Sequence, residues 1–137
     1  MCSSDLHLPV LVAKLATLVV PAESASPRRG QPIDLALTTN GATLTNCVDE
    51  LRAAGLGRVN ISLDTLDRER FERMTRRDEL SNVLAGIDAA IGAGFSSVKI
   101  NAVIERGVND DEIVDLAEFG RAKGIEVRFI EIGRAHV

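Results

Sequence analysis

Arg58-Val59-Asn60-Ile61-Ser62-Leu63-Asp64 is the stretch that decides the fold. Val59, Ile61 and Leu63 alternate strictly with Arg58, Asn60, Ser62 and Asp64, so an extended chain carries apolar side chains on one face and polar ones on the other. The run follows an amphipathic segment that stops at Gly55, and the same sequence of events recurs along the chain. Strands are expected at residues 34–40, 58–64, 97–104 and 126–132, rich in β-branched residues and bounded by turn formers. Helices are expected at about 8–20, 43–54, 80–93 and 110–123. The last three stop at Gly55, Gly94 and Gly124, which take the left-handed C′ conformation without steric cost. Asn109 with Glu112 three residues on reads as a capping box, and Thr43 as the cap of the second helix. Strand–helix–strand alternation implies parallel pairing with right-handed crossovers, an α/β fold.

Buried parallel strands are normally apolar throughout, and these are not. One face holds Leu35, Leu37, Val59, Ile61, Leu63, Val98, Ile100, Ala102, Val127 and Phe129, suited to packing against helices. The other holds Asp34, Thr38, Asn40, Arg58, Asn60, Ser62, Asp64, Lys99, Asn101, Glu126 and Arg128. Such a face lines the lumen of an open barrel, or it meets solvent or a partner. The polar clusters are expected at the carboxyl ends of the strands, where barrel enzymes place their chemistry. Lys99 suits phosphate oxygens and Arg128 offers a bidentate fork. Thr38, Ser62, Asn40, Asn60 and Asn101 both donate and accept, as recognition of a ribose or a base edge requires. Each also has a plainer reading: Asn40-Gly41 is a common turn, Asp64 could cap the next segment, and Lys99 could pair with Asp64 or Glu126.

Three segments break the rhythm. Residues 21–32 form a surface loop longer than most connections. Residues 67–79 mix five arginines with acidic residues, which points to a solvated helix with internal ion pairs, anchored by Phe71 and Met74. Residues 6–20 mimic a secretory leader, but Asp5 precedes them and Lys14 interrupts them, so a buried amphipathic helix is expected.

Across all 137 residues the chain is 45% hydrophobic and 26% charged with net charge −4, a globular balance without the basic excess of a nucleic-acid binder. Four Phe with no Trp or Tyr leave little for stacking on bases, and no membrane span is expected. Two cysteines, Cys2 and Cys47, make no metal or disulfide framework, so a reducing cytoplasm is the default. No dinucleotide fingerprint, P-loop or HExxH motif occurs. His7 is remote from the polar cluster, which argues against a Ser–His–acid triad, and Cys47 lies on the apolar side of its helix as a buried thiol. Residues 1–6 and 133–137 back-translate to a short-read sequencing adaptor and its near reverse complement, so both ends are read as artefact. Cys2, Arg134 and His136 then carry no chemistry, and residues 7–132 are expected to be an internal slice of a barrel domain.

Asp34-Leu35-Ala36-Leu37-Thr38-Thr39-Asn40-Gly41 and the run from Ala53 to Asp64 resemble the radical S-adenosylmethionine (SAM) family of GTP 3′,8-cyclases, the A protein of molybdenum-cofactor biosynthesis. Val98-Lys99-Ile100-Asn101-Ala102-Val103, Arg106-Gly107-Val108-Asn109-Asp110-Asp111-Glu112 and Ile125-Glu126-Val127-Arg128-Phe129-Ile130-Glu131 continue the resemblance. It implies the central part of an incomplete (β/α)6 TIM-like barrel whose lumen holds two ligands. It also implies a lyase that converts GTP to (8S)-3′,8-cyclo-7,8-dihydroguanosine 5′-triphosphate. One [4Fe–4S] cluster would cleave SAM to a 5′-deoxyadenosyl radical, and a second would hold the GTP base. By motif position Thr38 and Lys99 look like GTP contacts and Ser62 like a SAM contact. Asn40, Asp64, Asn101 and Arg128 would line the site. A homodimer, and cyclic pyranopterin monophosphate synthase as the next enzyme, also follow from the resemblance.

The chain departs from that pattern. The CxxxCxxC triplet and the Gly-Gly-Glu-Pro segment do not occur, a methionine expected after the sixth strand falls at Gly133, and the second cluster's cysteines would lie beyond Val137. This chain alone is therefore expected to be inactive. Two other readings stand beside the first. One is a radical SAM enzyme for a peptide or a haem precursor. The other is a non-catalytic α/β binding module, with membranes and nucleic acids excluded as partners for all three.

Overall fold

A computed structural model describes residues 7–132. The readings made on residues 1–6 and 133–137, including those on Cys2, Gly133, Arg134 and His136, lie outside the described residues. Four parallel strands, β1 (Ala36–Thr39), β2 (Arg58–Ser62), β3 (Ser97–Ile104) and β4 (Glu126–Glu131), form one sheet in chain order. The helices are α1 (Leu8–Leu15), α2 (Val48–Ala54), α3 (Arg68–Thr75), α4 (Leu80–Gly92) and α5 (Ile113–Lys123). The architecture is the expected α/β one, with a barrel wall that does not close. Among the described residues β1 and β4 are the edges.

The apolar stripes of the strands meet the helices as period-two alternation requires. Val59, Ile61, Leu63, Ile100 and Ala102 are buried against Leu44, Leu51, Leu80, Val83, Ile87 and Leu116. Two close approaches set the helix positions. A Cβ at Gly86 of α4 would overlap the Gly41 carbonyl oxygen in the turn after β1, and one at Gly120 of α5 would overlap Val127 Cγ2 of β4. The β1 turn thus depends on a bare backbone facing it from α4.

Several local expectations are corrected. The first helix ends at Leu15, not near residue 20, where the Thr17 hydroxyl donates to the Lys14 carbonyl. Among its apolar residues only Val12 is buried, because the helix packs on α2 along one face and nothing described covers the other. Residues 43–54 divide into a 3-10 turn (Leu44–Asn46) and α2, and residues 110–123 into a 3-10 turn (Asp110–Glu112) and α5. Neither Thr43 nor Asn109 caps through its side chain, since the Asn109 amide is committed elsewhere. His7 precedes the first helix, with a positive φ. Phe129 is exposed, and among the described residues no strand lies beyond β4 to shelter it. Residues 21–32 are a surface loop as expected, folded back by a bridge between Val19 and Pro32. Phe71 is buried and Met74 partly so, and Cys47 is buried with its thiol 3.8 Å from the Thr43 carbonyl oxygen. No helix among the described residues is long and apolar enough to cross a membrane.

Candidate functional site

Strand register, which no local sequence pattern specifies, assembles the polar face. Thr38 pairs with Asn60, Asn60 with Lys99, and Lys99 with Glu126, so one row crosses all four strands. Two residues further along, Ser62 pairs with Asn101 and Asn101 with Arg128 to form a second row. With strands about 4.8 Å apart and about 6.6 Å between like-facing residues, the two rows span roughly 14 by 7 Å. Thr38, Ser62 and Lys99 therefore share one surface.

The register also corrects their height along the strands. Thr38 and Ser62 sit at the carboxyl ends of β1 and β2, as expected. Lys99 and Asn101 lie in the amino half and middle of β3, and Arg128 lies in the amino half of β4. β1, β2 and β3 start in register, since Ala36, Arg58 and Ser97 pair, whereas β4 starts two residues later, opposite Lys99. The band from Thr38 to Glu126 thus crosses the third residue of β1, β2 and β3 and the first of β4, and Lys99 lies in the amino half of its strand because β3 runs on past β2.

Charge is concentrated at one end of this band. Lys99 Nζ lies 3.3 Å from Glu126 Oε2, and Arg128 Nε donates to Glu126 Oε1 at 3.0 Å. The Arg128 hydrogen bond, followed by the one from Lys99, holds the Glu126 carboxyl below its usual range. Of the partners considered for Lys99, Glu126 is the one it takes. In the second row, Asn101 Oδ1 is buried without a hydrogen-bond partner among the described residues. A buried acceptor left open beside exposed Ser62 fits a ligand donor, since such an atom costs free energy until it is met.

Two expected site residues are engaged structurally. Asn40 Oδ1 accepts from the Ala42 amide at 3.0 Å, closing the turn that Gly41 requires at φ +78°. Asp64 Oδ1 accepts from the Val103 amide at 2.8 Å, where the ladder between β2 and β3 ends. Burial raises the Asp64 pKa and outweighs the lowering effect of that bond.

A polar cluster beneath the rim was not anticipated. Asn109, fully buried, donates through Nδ2 to the carbonyls of Asp64 (2.7 Å) and Val103 (2.9 Å), and its Oδ1 accepts from the Glu105 amide (2.8 Å). Glu112 accepts from the Thr65 hydroxyl at 2.6 Å, the Leu66 amide at 2.9 Å and Arg70 at 2.6 Å. Arg70 also holds Asp111 and so bridges to another segment, while Arg68 with Asp78 and Arg77 with Glu79 pair inside residues 67–79, as the mixed charges there predict. The cluster ties the loop after β2 to the loop after β3 and so fixes Ser62 relative to Asn101. The asparagine and glutamate of residues 106–112 were visible in sequence, but their burial was not.

Comparison with known proteins identifies the family. Residues 5–120 match the model of the Radical SAM superfamily. The GTP 3′,8-cyclase of Ectopseudomonas mendocina (strain ymp) is 57% identical over 98 residues, which cover 72% of this chain and 30% of that protein. That of Corynebacterium glutamicum (strain R) is 50% identical over 123 residues, covering 90% of this chain and 33% of the relative. GTP 3′,8-cyclase 2 of Pseudomonas aeruginosa is 51% identical over 104 residues, 76% of this chain and 31% of the relative. The chain thus spans about a third of the length of these curated relatives.

Proposed function

The chain belongs to the radical SAM superfamily, and on that premise we propose that it is the central part of a GTP 3′,8-cyclase, a lyase of molybdenum-cofactor biosynthesis. One observation carries the reading: Thr38, Lys99, Ser62, Asn101 and Arg128 fall in two adjacent in-register rows on one face. Lys99 and Thr38 bind GTP, the ammonium taking phosphate oxygen and the hydroxyl fixing orientation. Ser62 meets SAM, and the open acceptor of Asn101 beside it suits the same ligand. Arg128 adds charge beyond Lys99, and Asn40 and Asp64 shape the rim through the bonds described above.

SAM, once bound and reduced, would supply the radical that takes a hydrogen atom from the nucleotide's ribose. This chain's own residues hold the two ligands side by side and keep them in register. The cluster that would reduce SAM does not fit here: among the described residues no group of three His, Cys, Asp or Glu side chains is placed to hold a metal. Cys47 lies in the core under α2, away from the polar face. That this chain by itself binds and orients without turning over is part of the same proposal and rests on the sequence, in which the CxxxCxxC triplet does not occur. A cytoplasmic location, a homodimer and delivery of product to cyclic pyranopterin monophosphate synthase belong to the same proposal and rest on the resemblance.

Calorimetric titration of a whole cyclase carrying this segment tests the reading. Lys99→Ala should weaken GTP binding on the order of tenfold or more, the worth of a hydrogen bond to a charged group, and leave SAM binding unchanged. Unchanged GTP affinity removes Lys99 from the site, and equal loss of both ligands assigns it a folding role.

A further inference from the structure

We propose that Glu126 is an internal competitor of the ligand's phosphate, an anion built into the site that must be displaced from Lys99 before a polyphosphate can bind. The inference rests on reading Lys99 as a GTP contact and adds a residue to that reading. Glu126 is the in-register partner of Lys99, so the two side chains leave the sheet on the same face from adjacent strands. Its carboxylate serves both cations of the band, one oxygen 3.3 Å from Lys99 Nζ and the other 3.0 Å from Arg128 Nε.

Both bonds are of a kind that exchanges. Glu126 and Arg128 side chains are about half exposed, at 53% and 49%, while Lys99 is the sheltered member at 24%. Ion pairs this open to water are weak. A triphosphate brings more charge and more acceptor oxygens than a single carboxylate, so it wins the exchange. Because Glu126 extends from a β-strand, its carboxylate remains close to Lys99 after exchange and repels the incoming anion across a few ångströms. The band therefore binds a polyanion and rejects a singly charged ligand, which gains too little from Lys99 to offset the loss of Glu126.

The test uses a whole cyclase carrying this segment, titrated with GTP, inorganic tripolyphosphate and SAM. Wild type is compared with Glu126→Gln, Lys99→Ala and the double variant. Glu126→Gln should tighten GTP and tripolyphosphate about tenfold, equivalent to ~1.4 kcal/mol, without altering SAM binding. In the Lys99→Ala background that gain should shrink to less than about threefold, because the exchange is gone and only the carboxylate's residual repulsion remains. GTP affinity that is unchanged or weaker in Glu126→Gln overturns the proposal and makes the carboxylate a positioning group for Lys99. A gain that persists in full without Lys99 also overturns it, leaving only a diffuse field. Should Lys99→Ala bind GTP like wild type, the reading of the site itself fails, an outcome distinct from failure at Glu126. A ligand-independent measurement guards against misfolding: acetylation of Lys99 should run several-fold faster in Glu126→Gln, and an unchanged rate refutes the pairing.

Discussion

Replacing Asn109 with alanine should be among the most damaging single changes available in this chain. The side chain is fully buried and makes three hydrogen bonds, to the Asp64 and Val103 carbonyls and from the Glu105 amide. Alanine leaves one N–H and two carbonyls, all at part-buried bonds, without those partners. At about 1–2 kcal/mol for each of three bonds lost at part-buried groups, the loss is roughly 3–5 kcal/mol. A domain of this size is stable by only about 5–15 kcal/mol. Urea unfolding of the 137-residue chain, followed by circular dichroism, should show the midpoint falling by about 1.5–2.5 M for a slope near 2 kcal/mol/M. Hydrogen exchange supplies the local readout, since the Glu105 amide loses its acceptor and should exchange faster. A loss below about 1 kcal/mol, or unchanged protection at Glu105, would refute the reasoning. Asn109→Asp sharpens the test. It keeps the accepting oxygen but sets a carboxylate against two carbonyls, so at neutral pH it should be no more stable than alanine. It should recover as acid protonates the new carboxyl.

Other expectations follow from the packing and the charges. Asp64 has its pKa raised by burial above the ordinary value of 3.8, so the folded state binds more protons than the unfolded one in that window and stability falls as pH rises through it. Asp64→Asn keeps an oxygen for the Val103 amide and should flatten that decline; an unaltered pH profile would count against the assignment. Asp78 and Asp111 behave oppositely, because Arg68 and Arg70 lower their pKa values. Their contribution, complete above the ordinary carboxyl range, should be lost as pH falls through the depressed values, and 1 M salt should weaken it because the pairs are exposed. Gly86→Ala drives a Cβ into the Gly41 carbonyl and should cost about 1–3 kcal/mol despite alanine's better helix propensity. Net stabilisation measured by denaturant unfolding would show that the turn after β1 yields to α4.

The α/β class, the four strands and the helix stops before glycine were legible in sequence because they follow from short-range causes. Alternation with period two assigns faces within one strand, and Gly55, Gly94 and Gly124 take up positive φ where the helices end. The membership of Thr38, Ser62, Lys99, Asn101 and Arg128 in one polar face was legible for the same reason. Their spacing was not. Lys99 stands beside Asn60 and Glu126 only because the parallel strands pair in one particular register, which depends on how the apolar faces pack under α4 and α5. Long-range contact likewise decided the roles of Asn109 and Glu112. As local patterns they read as a capping box, yet they bond to groups about 45 residues away. A buried amide goes where unpaired backbone needs it, and the folded chain alone reveals where that is. Exposure of the first helix had the same origin, since periodicity shows that one stripe is apolar but not whether anything lies against it.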